Sequence, residues 1–311
     1  MSRTDRRAFT LIEMLVVVAI IGVVAAIVVP SLGAARRSAR SAVCAANLKS
    51  QGAALRSYLT DHDERLPQVW IDPGSPDPAP LAPSPSAIHI GQLYAGVAGD
   101  LPFYGMNTIG VERRPLNAYL GLKSPPTDAS QVGLHADEKY SIPVVHCPAD
   151  QGVENEIFEM KGMAELLADA RDSAYELLGN SYILNDHVLD PIGAGGKGFV
   201  PEIPTLVPLF ENGTRPRDGR MPDVASPGRT WVIGEQAIYN YDRGGDRKVQ
   251  WHFPKEVRTN LLFVDLHVGS RLAVPKPDPD NDPMVREHLN TTDEYTFLPE
   301  PGWPVDPSQQ Q

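Results

Sequence analysis

The strongest hydrophobic pattern in the chain lies at its N-terminus. From Phe9 to Val29 the sequence holds 21 residues with a single charged side chain, Glu13. A helix of this length rises about 30 Å, which is the thickness of the hydrocarbon core of a bilayer. Three arginines precede the run, Arg3, Arg6 and Arg7. Basic residues that flank a membrane span usually stay in the cytoplasm. The pattern predicts one membrane-spanning helix, with the large remainder of the chain on the far side.

The residues alone leave alternatives open for this run. A secretory signal peptide usually has an apolar region of about 7–15 residues and a small-residue cleavage site, whereas this run is longer and Pro30-Ser31-Leu32-Gly33 follows it. An ordinary single-span anchor fits the length but does not account for Glu13, because a carboxylate inside an apolar span costs roughly 2.5–3.5 kcal/mol. A buried core helix is disfavoured because the run is apolar all round.

The segment after Pro30 keeps helical character but becomes amphipathic. It is rich in alanine and contains no further proline until Pro67. We expect one long helix that ends near Asp61, with a kink or a melted turn near Pro30 and Gly33. The arginines between positions 36 and 40 are expected on a solvated face. Four residues at helical spacing are expected to pack on the body: Cys44, Leu48, Leu55 and Leu59.

Beyond position 70 the hydrophobic pattern is broken into short runs. Residues 72–86 form a proline-rich loop, and the tail from Pro275 is rich in proline and acidic residues. A helical pattern ends at Leu178, in KGMAELLADARDSAYELL. Four apolar runs predict buried strands: Val144–Val145, Tyr182–Leu184, Thr230–Ile233 and Asn260–Val264. A helical N-terminal third followed by short strands indicates an α+β fold.

Composition narrows the class of partner. The formal net charge is −11, whereas nucleic-acid binding requires clustered Lys and Arg to neutralise phosphates. Nucleic acid is therefore not expected as the main partner. The 30 prolines favour a loop-rich body, and two cysteines are too few for a disulfide scaffold but enough for one bridge.

The start of the apolar run resembles a known signal. Arg6-Arg7-Ala8-Phe9-Thr10-Leu11-Ile12-Glu13 is similar to the class III prepilin signal of type IV pilins and of type II secretion pseudopilins, including the major pseudopilin. The resemblance implies that a prepilin peptidase cuts between Ala8 and Phe9 and methylates the new N-terminus. Glu13 is then the fifth mature residue, and Pro30 occupies a position where pilins often carry proline. The family prefers glycine where this chain has Ala8; alanine is also small, so cleavage is still expected.

Five segments of the body resemble a pilin-like group of planctomycetes and related bacteria, the prepilin-type H-x9-D-G (DUF1559-like) proteins. They are C-A-A-N-L-K at 44–49, R-P-L-N-A-Y-L at 114–120, H-C-P-A-D at 146–150, S-Y-I-L-N at 181–185 and N-L-L-F-V-D-L-H-V at 260–268. The motif residues implied are Asn47, Asp150, His252, Asp265 and His267. The last motif departs from the group, because Leu266 replaces glycine and twelve residues separate His252 from Asp265. A turn that needs a positive φ at Leu266, or a site built on that spacing, is therefore not expected.

The resemblance implies a pilin-like architecture, in which a long helix, half transmembrane and half amphipathic, packs on a small antiparallel β-sheet with loop-rich insertions. The expected segments are a leader (1–8), a transmembrane helix (9–29), a periplasmic helical half (30–66), an α+β body (67–274) and a proline-rich acidic tail (275–311). The protein is expected to cross the inner membrane once, with its leader cytoplasmic and its body periplasmic, and to enter a periplasm-spanning or surface filament.

The function implied is that of a structural subunit of a pilus or of a type II secretion pseudopilus, without enzymatic activity. Cleavage creates a positive amine at Phe9, and Glu13 of a neighbouring subunit can pair with it, so that both charges escape the cost of lipid on assembly. The expected partners are prepilin peptidase, other pilin or pseudopilin subunits, an inner-membrane assembly platform and membrane lipid.

Two other classes of function stay open. One is a membrane-anchored periplasmic binding or processing-associated protein that does not polymerise. The other is a membrane-tethered metal hydrolase built on Asp265 and His267. A structural subunit enters a filament, whereas an anchored binding or processing-associated protein does not.

Few residues offer chemistry beyond assembly. Cys44 and Cys147, 103 positions apart, either form a disulfide in an oxidising compartment or stay as buried free thiols. Six residues are of types that bind metal ions: His146, Cys147, Asp150, His252, Asp265 and His267. For Asp265 and His267 the alternative to a metal site is a hydrogen-bonded pair that orders a turn. No cofactor is expected. The acidic loop that contains Asp278, Asp280 and Asp282 has ligand types that suit calcium, but a solvated loop is the simpler interpretation.

Overall fold

One long helix organises the protein. The computed structural model describes residues 11–71, 88–101, 103–121, 142–152, 173–185, 226–239, 250–253, 255–275 and 292–296. Helix α1, Leu11–Asp61, has 51 residues and is therefore about 77 Å long. The predicted end near Asp61 is confirmed. The helix is continuous through Pro30 and Gly33, so no melted turn forms there; Ser31 Oγ donates to Val28 O, 2.8 Å away, in the turn that contains the proline.

Short irregular elements follow α1. Strands β1 (Trp70–Ile71) and β2 (Ile88–His89) pair antiparallel. Short 3₁₀ helices come next: Gly91–Tyr94, Phe103–Thr108, Val111–Arg113, Pro115–Leu120 and Pro143–Val145. The last of these shows that the strand predicted at Val144–Val145 is wrong. Proline fixes φ near the helical value and has no N–H for a β-ladder, and Pro143 therefore starts a helical turn.

Helix α2 is short and well capped. It comprises Ala174–Leu178, and Ser173 at its N-cap forms a reciprocal capping box with Glu176. Gly179 ends the helix in a left-handed conformation with φ 75°. These caps satisfy backbone groups that a five-residue helix would otherwise leave unpaired.

The body contains a four-stranded antiparallel sheet in the order β3-β4-β5-β6. Its strands are β3 (Tyr182–Leu184), β4 (Trp231–Glu235), β5 (Arg258–Phe263) and β6 (Val268–Ala273). A final 3₁₀ turn, Gln236–Tyr239, follows β4. Three of the four predicted apolar strands are confirmed, because each forms a ladder between two covered faces.

Alternate strand residues serve the two faces of the sheet. Tyr182, Leu184 and Leu262 belong to the core cluster that also contains the body-facing residues of α1. Ile183 and Leu261 belong to a second cluster on the opposite face, as the period of two in a strand requires. The arrangement is the α+β, pilin-like fold expected from the sequence.

A glycine sets the distance between α1 and the sheet. At Gly52 an added Cβ would lie 2.9 Å from Leu262 Cδ1, and β5 therefore approaches the helix closely. The predicted packing residues of α1 are all buried: Cys44, Leu48, Leu55 and Leu59. The second half of α1 is therefore held firmly on the body.

Candidate functional site

The first half of α1 projects from the body as a bare apolar surface. Leu11, Ile12 and Val29 are 84%, 75% and 68% exposed. The most hydropathic window of α1 has none of its residues buried, and by length and composition it can cross a membrane. Isolated exposed apolar residues are normal, but a continuous surface of this size is not, and it requires a partner or a lipid environment.

Glu13 is exposed in the first turn of this surface. Pro30 lies within the same helix. Ala8 and Phe9, the predicted cleavage and methylation residues, lie outside the described residues, as do Asp278, Asp280 and Asp282 of the predicted calcium loop.

The second half of α1 is fastened covalently. Cys44 and Cys147 form a disulfide, which was one of the two states left open by the sequence. Asn47, one turn further along the helix, donates to the main-chain oxygens of Pro143 and His146 at 2.8 and 3.1 Å, and to Tyr182 Oη at 3.3 Å. The Asn47 motif residue therefore ties the helix to the segment that carries the second cysteine.

A buried polar network adjoins the disulfide. Glu235 at the end of β4 and His252 are both buried, and His252 Nε2 lies 2.9 and 3.0 Å from the two carboxylate oxygens. Asn260 in β5 donates to the same carboxylate from its main-chain N–H at 2.7 Å and from Nδ2 at 2.8 Å. Asn260 also joins the sheet to α1, because its Nδ2 lies 3.3 Å from Ser41 O. His252 Nδ1 is buried and has no hydrogen-bond partner among the described residues.

The disulfide touches this network through a sulfur. Cys147 Sγ lies 3.6 Å from Glu235 Oε1; because a bridged sulfur carries no hydrogen, this is a contact and not a hydrogen bond. Burial raises the pKa of Tyr182 well above its ordinary value, and the nearby Glu235 carboxylate raises it further. The site therefore combines a disulfide, a carboxylate and an imidazole inside the apolar core.

Sequence reasoning identified Cys44, Cys147 and His252 but missed Glu235 and Asn260. A signal existed for each of the two. Glu235 is an acidic residue at the end of an apolar strand, and Asn260 opens a motif whose other members are apolar or form the following turn. Both could be recognised as buried only once the strands were known to have two covered faces.

Asp150 organises the segment after the second cysteine. Its carboxylate accepts from the main-chain N–H groups of Gly152, Ala174 and Tyr175, each at 2.9 Å, and from Ser181 Oγ at 2.6 Å. Burial raises the pKa of Asp150, although these four hydrogen bonds favour its ionised form and oppose the rise. The C-P-x-D motif therefore caps α2 and is structural.

Asp265 and His267 form a pair in the turn between β5 and β6 and do not lie on a strand. Asp265 Oδ1 accepts from the main-chain N–H of His267 at 3.1 Å and lies 2.6 Å from its Nδ1. His267 stacks on Phe263 with a centroid distance of 4.3 Å. Leu266 between them has φ 69°, so the expectation that this turn avoids a positive φ is wrong. The paired flanking side chains hold the residue in that conformation.

The R-P-L-N-x-Y-L motif is also structural. Arg114 is buried and donates to the main-chain oxygens of Ala95 at 2.8 Å and Leu178 at 2.9 Å. Asn117 bonds both the N–H and the C=O of Gly96, at 2.8 and 2.7 Å. These two side chains satisfy main-chain groups at or just beyond the ends of short helices, where regular backbone partners are missing.

Comparisons with known proteins agree with this division between an exposed helix and a folded body. Residues 3–29 match the prokaryotic N-terminal methylation motif, and residues 33–261 match a family described as protein of unknown function (DUF1559). The comparisons with curated proteins and with solved structures give no match. The first match marks a prepilin-type, membrane-anchored N-terminus, and the second covers more than half of the 311 residues. The chain therefore belongs to the DUF1559 family and begins with a prepilin-type methylation motif.

Proposed function

We propose that the protein is a structural pilin-like subunit that prepilin peptidase processes and that assembles through α1 into a pilus or a type II secretion pseudopilus. The observation that carries the proposal is the contrast within α1. Its first half is apolar and exposed, whereas its second half is held on the body by a disulfide and by buried side chains. A helix held in this way presents its free half in a fixed direction, as a filament core requires.

Glu13 supplies the proposed assembly contact. A carboxylate in this run costs roughly 2.5–3.5 kcal/mol on insertion, and that cost is recovered if a cation meets it in the assembled state. The cation proposed is the N-terminal amine of Phe9 on a neighbouring subunit. The proposed partners are accordingly other subunits of the same type and an assembly platform in the inner membrane, with the body on the periplasmic side.

The structural role is favoured over an enzymatic one by what the motif residues do. Asn47, Arg114, Asn117 and Asp150 each bond main-chain groups within the body. Asp265 and His267 pair with each other in a turn. These residues hold the body together, which is the task of a subunit that decorates the outside of a filament.

The test compares Glu13→Leu with a matched control, Glu112→Leu, at an exposed carboxylate of the body. Membrane insertion and N-terminal processing should be unchanged in both variants. Filament incorporation, measured in sheared and pelleted material, should be lost in Glu13→Leu and kept in Glu112→Leu. Normal assembly of Glu13→Leu would refute the role of Glu13; a wild-type chain that is processed but never enters a filament would favour the anchored binding protein.

Processing has its own measurement. The N-terminal mass of the membrane-extracted protein, with and without active prepilin peptidase, should show methylated Phe9 only when the peptidase is present. Ala8→Gly should accelerate the conversion, because glycine is the residue that the prepilin signal prefers before the cut. An unprocessed Met1 in both cases would contradict the processing step.

A further inference from the structure

The core of the body gathers four metal-ligand side chains from four separate segments. They are Cys44 on α1, Cys147, Glu235 at the end of β4 and His252, and all four are buried. Their two sulfurs, one carboxylate oxygen and one imidazole nitrogen all lie within 4.8 Å of one another. Within the described part of the chain, this is the one cluster of three or more His, Cys, Asp or Glu residues whose ligand atoms lie close enough to hold a metal ion.

A disulfide alone does not account for this environment. A carboxylate is costly to bury and is usually paired or bound to a metal. Glu235 is paired with His252 and Asn260, but it also lies against the bridged sulfur of Cys147, which donates no hydrogen bond to it. Two sulfurs, an imidazole and a carboxylate are the donor types that zinc takes in four-coordinate sites. Asn260 bonds the carboxylate from two N–H groups, which is how outer residues orient a ligating side chain.

We propose that, when the disulfide is reduced, these four side chains bind one zinc ion, which then holds α1 on the body in place of the disulfide. Reduction by a dithiol transfers two electrons and two protons: the Cys44–Cys147 bond breaks, two thiols form, and the reductant becomes a disulfide. Zinc then displaces both thiol protons to solvent, and two zinc–sulfur bonds form. The site is a feature of the body and goes beyond the proposed assembly function.

The distances fit this exchange. Tetrahedral ligands at about 2.0–2.3 Å from zinc lie roughly 3.3–3.8 Å from one another. His252 Nε2 lies 2.9 Å from Glu235 Oε1, and Cys147 Sγ lies 3.6 Å from the same oxygen. The two sulfurs must separate once their bond is cut, and His252 must move slightly outward. Zinc therefore requires movements of side chains only, in a site whose backbone is already in place.

The test uses the full-length chain in detergent micelles, with and without reduction by a phosphine. Each sample is incubated with zinc chloride and desalted, and its zinc is counted by mass spectrometry. We expect about one zinc per reduced chain and almost none per oxidised chain. His252→Ala should weaken binding at least about tenfold, whereas the control His267→Ala, at an exposed histidine, should leave it unchanged. Cobalt in the reduced wild type should give a thiolate charge-transfer band and the visible bands of a tetrahedral site.

The measurement decides the proposal even if a variant misfolds, because the main comparison is between two states of the wild type. If reduction loosens the body, zinc should raise the melting temperature of the reduced chain and not that of the oxidised chain. Equal zinc in both states would place the metal elsewhere and overturn the proposal. So would a reduced chain that takes up no zinc, or binding that His252→Ala leaves intact.

Discussion

The buried carboxylate Glu235 offers a sharp test of the core network through Glu235→Gln. In the wild type its two oxygens accept from His252 Nε2 and from two N–H groups of Asn260. A glutamine keeps the shape but has one oxygen and one NH2 group. Whichever way the amide turns, its NH2 faces an N–H of Asn260, so one buried donor loses its acceptor.

The magnitude follows from the hydrogen bonds. Loss of a charge-assisted hydrogen bond costs about 1.5–3 kcal/mol, and a buried donor without an acceptor costs about 1–3 kcal/mol. A neutral amide is cheaper to bury than a carboxylate, which offsets part of this sum. We expect Glu235→Gln to lower the free energy of unfolding by about 2–4 kcal/mol, or the melting temperature by roughly 4–16 °C for a body of this size.

The assay is urea unfolding of the oxidised full-length chain in micelles, followed by tryptophan fluorescence. Trp231 and Trp251 are buried and report on the body. The control is Glu256→Gln, because Glu256 is exposed and pairs with Arg258 at 2.8 Å. An exposed pair contributes little to stability, because water and salt screen it. Equal effects of the two substitutions, or a loss below about 0.5 kcal/mol for Glu235→Gln, would refute the account of the network.

Further outcomes concern backbone and capping residues. Gly179→Ala should lower the free energy of unfolding by at least about 3 kcal/mol, because an added Cβ would lie 1.7 Å from Val97 O. Gly121→Ala, which has a similar φ and open space around it, should lower it by only about 1 kcal/mol; thermal melts compare the two variants. Asp150→Asn should cost about 1–3 kcal/mol in urea unfolding, because an amide cannot accept all four donors. The pKa of Asp150 is higher in the folded than in the unfolded protein. Between these two pKa values the folded state binds more protons, so the free energy of unfolding of the wild type should fall as pH rises and then level off above the folded pKa. Asp150→Asn should remove this pH dependence. Leu266→Gly should leave stability unchanged or raise it by up to about 1 kcal/mol, because glycine adopts φ 69° without strain; a loss above about 1 kcal/mol would contradict this.

The sequence predicted the elements whose pattern is long or strongly apolar. Helix α1 is predictable because 51 residues of helical character leave no competing pattern. The runs at 182–184, 230–233 and 260–264 are predictable as strands because they are continuous apolar segments between turn residues. Val144–Val145 is too short for such an argument, and Pro143 decides its conformation locally.

The candidate site was predictable only in part. With two cysteines there is one possible pairing, but whether it forms depends on how the body places Cys147 beside α1. Glu235 and Asn260 lie on paired strands and His252 lies on neither of them. The three residues therefore meet only through tertiary folding, and no local pattern marks them as partners. The positive φ of Leu266 was also not predicted, because a leucine by itself does not favour it; the hydrogen bond between the neighbouring side chains of Asp265 and His267 does.

The packing of α1 on the body joins residues that lie far apart in the sequence. Ser41 bonds Asn260 across 219 positions, and Arg271 reaches Ser38 across 233. Contacts so distant in sequence are unfavourable to form first, because the chain loses the entropy of a long loop before the contact is gained. A chain released before β5 and β6 would keep an anchored helix whose body-facing side is covered only in part, by the segments around Cys147 and Tyr182. The surface on which α1 packs is therefore completed only by β5 and β6, so the orientation of the N-terminal helix depends on a sheet that forms more than 200 residues further along the chain.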